Sequence, residues 1–132
     1  MLSLLSESLY NQRTMEKTYI VGAEQTAQVM GSGDMPVLAT PALVAMMENA
    51  AMLCARQLLT DGETTVGGSI DVRHLAPSPV GAEIRVVAEL TERDGRRLMF
   101  SIRATEGEKE IGIANHVRYA VNRERFLAKL RS

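Results

Sequence analysis

Apolar and polar positions follow two different periods along the chain, and the change of period divides it. From Leu43 the apolar residues recur at i, i+3, i+4, i+7 and i+8, a spacing that predicts one long helix from Thr40 to about Leu59. Val44, Ala45, Met52 and Leu53 carry the apolar character around most of the cylinder, so the helix is expected to be covered on most sides. Thr40 is a good N-cap, and Pro41 suits the first helical position, where its missing donor costs nothing. Asp61-Gly62 is read as the end of the helix and the start of the turn that follows.

From Thr65 to Val121 the period drops to two, the mark of consecutive strands joined by short turns. Ile70, Val72 and His74 share one face of the first. Ile84, Val86, Ala88 and Leu90 share the inner face of the second, and Leu98, Phe100, Ile102 and Ala104 that of the third. The last strand sets Ile111, Ile113, Val117, Tyr119 and Val121 on one side and Gly112, Ala114, His116 and Arg118 on the other. Asp94-Gly95 and Gly107 supply hairpin turns, and Pro77-Ser78-Pro79 breaks the first strand from the second. Before the helix, Thr14 to Val21 reads as a weakly patterned strand, and Ala23 to Met30 fits a short helix or irregular structure equally. The breaker-rich Gly31-Ser32-Gly33-Asp34-Met35-Pro36 has the composition of a flap. Arg123 to Arg131 reads as a short terminal helix. The expected fold is α+β: an antiparallel sheet wrapped around one central helix, which buries the apolar faces of both. Such a sheet has open edges, and pairing across a twofold axis would remove one, so a homodimer is expected.

Composition narrows the possibilities further. The 132 residues fit one domain spanning 1–132, and 45% hydrophobic with 23% charged residues is ordinary globular composition. Fifteen basic and sixteen acidic side chains give a net charge of −1 with no basic run, which excludes a nucleic-acid footprint. Met1-Leu2-Ser3-Leu4-Leu5-Ser6-Glu7 has neither a basic start nor a long apolar run. It resembles no signal peptide or membrane span, and a cytoplasmic location is expected. Cys54 sits at helical spacing among Leu43, Met46, Met47, Ala50 and Leu58, as a core thiol would.

Three polar residues stand out against the apolar pattern. His74 points the way of Ile70 and Val72, where an ionisable ring needs a partner. Glu48 is the single charged residue between Thr40 and Arg56, a poor way to write a solvated helix face. Thr40 is explained by capping alone, yet a helix N-terminus also steadies a nearby oxyanion. Eight residues of helix separate Thr40 from Glu48 by about 12 Å, whereas an imidazole bonded at both nitrogens spans roughly 8 Å. A triad within one chain is therefore stretched, and a site completed across a dimer interface fits the sequence equally. Adjacent Gly67 and Gly68 would let a ligand approach backbone donors, or serve as a bulge. Two histidines and one cysteine match no zinc pattern, and Gly31-Ser32-Gly33 lacks the lysine and helix start of a phosphate loop.

The stretches Leu38-Ala39-Thr40, Leu43 to Ala50, Val72 to Gly81, Ala88-Glu89-Leu90, Gly95 to Leu98, and Ile111-Gly112 followed by His116 and Arg118 together resemble the hot-dog thioesterases of the fluoroacetyl-CoA thioesterase type. The resemblance runs from about Leu38 onward. It implies a hot-dog fold, a homodimer or a pair of such dimers, and hydrolysis of a short or medium acyl-CoA without a cofactor, CoA being part of the substrate. It places the catalytic Thr, Glu and His on Thr40, Glu48 and His74. It also sets the Gly67 backbone against the thioester carbonyl and Arg118 near the ligand. Neither nucleic acid nor membrane is implied as a partner. An acyl-CoA-binding module and an acyl-CoA hydratase or dehydratase are the alternatives on the same fold. One departure concerns the flap, which in fluoroacetyl-CoA enzymes carries aromatic residues and here carries none; Met30 and Met35 are expected to line a more adaptable pocket instead.

Overall fold

The computed structural model describes residues 12–131, so the reading of Met1 to Glu7 lies outside the described residues. Strand β1 (Thr14–Ile20) is followed by a 3-10 turn (Ala23–Gln25) and the short helix α1 (Ala27–Met30). The stretch that fitted helix or irregular structure thus holds two short helical pieces. Helix α2 (Thr40–Arg56) follows, then β2 (Glu63–His74), β3 (Glu83–Asp94), β4 (Arg97–Glu106), β5 (Lys109–Asn122) and helix α3 (Arg123–Leu130). The five strands form one antiparallel sheet in the order β1-β3-β4-β5-β2. Strands β1 and β2 are its edges.

The period-2 reading of β3 and β4 predicts the core. Ile84, Val86, Ala88, Leu90, Leu98, Phe100, Ile102 and Ala104 are all buried, facing Leu43, Met46, Met47, Ala50, Cys54 and Ala55 of α2. Cys54 is a core thiol, as its spacing implied, and burial pushes its pKa up to about 11. Gly95 and Gly107 take positive φ in the two hairpin turns, where a side chain would be strained. On β1, the Tyr19 hydroxyl donates to Asn49 Oδ1 at 2.6 Å, latching this edge strand to the helix beside Glu48.

Two expectations about α2 are corrected. The N-cap is Ala39, with no side-chain cap bond, and Thr40 is the first helical residue. The Thr40 hydroxyl is engaged elsewhere. The helix also stops at Arg56, short of Asp61-Gly62, because Gln57 N turns back onto Cys54 O in a tighter turn. Gly62, at φ 85°, shapes the later turn into β2.

On β5 the inward face is Gly112, Ala114, His116, Arg118 and Ala120, while Ile113, Val117, Tyr119 and Val121 lie half-covered or exposed on the outside. Gly112 permits close packing of helix and sheet: a Cβ there would stand 2.8 Å from Leu43 Cδ2 and 3.1 Å from Met47 Cε. Gly112→Ala is expected to overpack this contact by about 1–3 kcal/mol, offset in part by about 0.4–1 kcal/mol from restricting the unfolded chain. A net loss of about 1 kcal/mol in urea unfolding is the expected outcome; an unchanged midpoint would show that the helix gives way freely.

Candidate active site

The polar residues singled out by sequence gather into two groups. In the first, Thr40 Oγ1 lies 2.8 Å from His74 Nδ1. The start of α2 supplies one partner and the end of β2 the other. Their cleft, about 470 Å³, is walled by Ala27, Val37, Leu38, Ala39 and Leu75. Thr40 is exposed, whereas His74 Nε2 is enclosed and meets no hydrogen-bonding partner among the described residues. Desolvation holds the His74 pKa below the ordinary imidazole value, against a smaller opposing effect of the Ala76 carbonyl. The ring is therefore kept neutral, the form whose Nδ1 can take a proton from a hydroxyl when the ring proton sits on Nε2.

The flap beside this cleft is tied down by backbone bonds. Ala27 N donates to Val37 O at 2.8 Å, Gln28 N to Met35 O at 3.1 Å, and Leu38 N to Ser78 O at 2.9 Å. Met30 and Met35 are 46% and 60% exposed and stand outside the cleft wall, so the expectation that they line the pocket is corrected.

In the second group, Glu48 Oε2 lies 3.7 Å from an Arg118 guanidinium nitrogen. Gly67 abuts both: a Cβ there would stand 2.9 Å from Glu48 Oε2 and 3.5 Å from the same Arg118 nitrogen. Arg118 Nε donates to Thr65 Oγ1 at 2.8 Å and a terminal nitrogen donates to Thr65 O at 3.1 Å. The other terminal nitrogen faces His116 Nε2 at 3.2 Å, and His116 Nδ1 lies 2.6 Å from the Ser69 carbonyl. The β2–β5 register shifts between Gly67 and Ser69, so the adjacent glycines do mark a bulge.

No hydrogen bond or ion pair joins Glu48 to Thr40 or His74 within the chain. Gly67 and His74 stand seven positions apart on β2, about 23 Å at strand rise, and Thr40 and Glu48 about 12 Å apart on α2. Within one chain these residues thus form two separate groups. The residues that sequence reasoning did not weigh are Thr65 and His116. A detectable signal was present, since His116 and Arg118 share one strand face with Gly112 and Ala114, and two ionisable side chains there need partners. Among the described residues no group of three or more His, Cys, Asp or Glu side chains is placed to hold a metal ion, and no helix is long and apolar enough to cross a membrane.

Comparison with known proteins fits this geometry. Residues 21–124 match the family model of fluoroacetyl-CoA-specific thioesterases. The chain is 39% identical over 95 residues to the fluoroacetyl-CoA thioesterase of Streptantibioticus cattleyicolor, covering 72% of this chain and 68% of that protein. A solved structure of the fluoroacetyl-CoA thioesterase FlK superposes with a TM-score of 0.83 at 32% identity, covering 89% of this chain and 92% of that one. Related structures of that enzyme include a threonine-to-alanine variant in complex with fluoroacetate. A thioesterase superfamily member from Thermus thermophilus gives a TM-score of 0.83 at 28% identity, covering 89% and 88% of the two chains. A hot-dog-like protein from Thermanaerovibrio acidaminovorans shares the fold at 18% identity, with a TM-score of 0.81 and 89% and 87% coverage. The sheet-wrapped helix is the hot-dog fold, and the chain belongs to the fluoroacetyl-CoA-specific thioesterase family.

Proposed function

We propose that the protein is a cytoplasmic acyl-CoA thioesterase that hydrolyses a short or medium acyl-CoA to the free acid and CoA, with its active sites formed between two copies of the chain. The observation that carries the reading is the exposed Thr40 hydroxyl against a neutral His74. His74 Nδ1 takes the hydroxyl proton as Thr40 Oγ1 attacks the thioester carbonyl; the C–S bond breaks, the proton passes to the departing CoA thiolate, and water hydrolyses the acyl-threonine. Alternatively, the pair positions a water for direct attack, with the same departure of CoA. In this reading backbone at Gly67 holds the developing oxyanion, and the Glu48 carboxylate beside it activates water. CoA enters as part of the substrate, and no cofactor is required for this chemistry.

The separation of the two groups within one chain supports the dimer. Strand β2 is a sheet edge and carries both Gly67 and His74. If β2 pairs antiparallel with its twofold mate about an axis near Ile70–Asp71, Gly67 of the partner subunit comes opposite His74. Each site then combines Thr40 and His74 with Glu48 of the partner subunit. The exposed or half-covered stripe of α2 formed by Thr40, Val44, Ala45, Glu48 and Met52 would border the same axis.

The test is thiol release from acetyl-, fluoroacetyl-, butyryl-, hexanoyl- and phenylacetyl-CoA. Release that disappears in Thr40→Ala is expected, with the preferred ester naming the acyl class. Tight ester binding with no release from any of the five would overturn hydrolysis in favour of a binding module. Burst kinetics kept by Thr40→Ala would rule out an acyl-threonine.

A further inference from the structure

His116 lies outside the Thr40, Glu48 and His74 set, yet it is 2% exposed and sits in the middle of the Glu48 cluster. Its two ring nitrogens face partners that each admit a single role. The Ser69 carbonyl, 2.6 Å from Nδ1, only accepts, and the Arg118 guanidinium, 3.2 Å from Nε2, only donates. One species satisfies both, the neutral ring with its proton on Nδ1. An imidazolium would set an N–H against the guanidinium N–H. The charged groups that face the ring are Arg118 on its own strand and Glu48 on α2.

The contacts of Arg118 give this tautomer its consequence. Thr65 takes a bond from Nε and one from a terminal nitrogen, and His116 takes one from the other. That last nitrogen is the one that faces Glu48 and the Gly67 backbone. Arg118 is 7% exposed and committed on three sides, so it is placed to hold Glu48 rather than to grip a CoA phosphate.

We propose that His116 is a positioning residue for this site: as the Nδ1–H tautomer, anchored on Ser69, it locks the Arg118 guanidinium in the orientation that fixes the Glu48 carboxylate beside Gly67. This rests on the thioesterase reading above for its effect on turnover, but the lock itself is a property of the folded chain.

Two variants and one spectroscopic measurement test it. His116→Asn keeps a donor where Nδ1 stands and removes the acceptor facing Arg118, whereas His116→Gln places an acceptor at the reach of Nε2. The expected result is a fall in kcat of up to about 100-fold for Asn with KM nearly unchanged, as misplacement near the reacting centre produces. His116→Gln is expected to recover most of that loss. Equal kcat in the two variants, or a change confined to KM, overturns the proposal. Long-range 1H–15N NMR of the unaltered protein between about pH 5 and 8 reads the ring directly, whatever the variants do. The Nδ1–H tautomer is expected, and an Nε2–H ring or an imidazolium there would sink the lock even if the Asn variant does not fold. A protein that shows this tautomer and hydrolyses no acyl-CoA keeps the lock and loses the thioesterase reading.

Discussion

Alanine at His74 and glutamine at Glu48 are each expected to lower kcat/KM for acyl-CoA hydrolysis by about 10²- to 10⁴-fold, the range for loss of a positioned acid or base. Mixing the two variants after reversible dissociation is expected to restore activity. The expectation rests on the proposed shared site, because Thr40 and His74 meet at one end of β2 and Glu48 meets Gly67 well away from them. In a mixed dimer one site receives both lesions and the other receives none. Random reassortment makes half the dimers mixed, so about a quarter of the unaltered activity should return. If each site were built within one chain, every site in the mixture would carry a lesion and no activity would reappear. The pH profile tests the assignment of His74 as the base independently. Because desolvation depresses the His74 pKa, the ring remains neutral into mildly acidic solution. The acid limb of kcat/KM should have its midpoint below the ordinary imidazole value of about 6.5, and a midpoint above 7 would exclude His74 as the base.

Arg118→Met is expected to be the most damaging substitution to the fold, costing about 2–4 kcal/mol in urea unfolding. The ion pair with Glu48 is a minor part of this, since that carboxylate is 41% exposed and can return to water. Most of the loss comes from Thr65 and His116, which are buried and lose the donors that satisfy them. Glu48→Gln should therefore change stability little, and a large loss there would contradict this division. The pH dependence follows with a definite sign. Burial, aided by the Arg118 charge, holds the folded-state pKa of His116 below its unfolded value. As pH falls through the unfolded value, the unfolded chain takes up a proton that the folded chain refuses, and stability declines. Without Arg118 the ring is easier to protonate in the folded state, so the variant should lose less additional stability on acidification than the unaltered protein.

The alternation of Ile84 to Leu90 and of Leu98 to Ala104, and the helical spacing from Leu43, were enough to identify the core, because each segment offers one continuous apolar face and a single way to bury it. Thr40, Glu48 and His74 were legible for the complementary reason, as polar groups written into faces that are otherwise apolar. Strand β5 was different. Apolar side chains stand on both of its sides, so its period leaves the choice of inward face open, and pairing with β2 and β4 turns Gly112, Ala114, His116 and Arg118 toward the helix. That orientation is tolerable because Thr65 and the Ser69 carbonyl, brought from β2, satisfy the ring and the guanidinium. The partner of the Thr40 hydroxyl was decided in the same way. Helix-start preferences made it a cap, but the return of β2 brings His74 within 2.8 Å, and the cap position passes to Ala39. Sequence thus determined which residues are buried by their own periodicity and which polar groups need partners. The partners themselves come from strands distant in the chain, and only tertiary packing decided them.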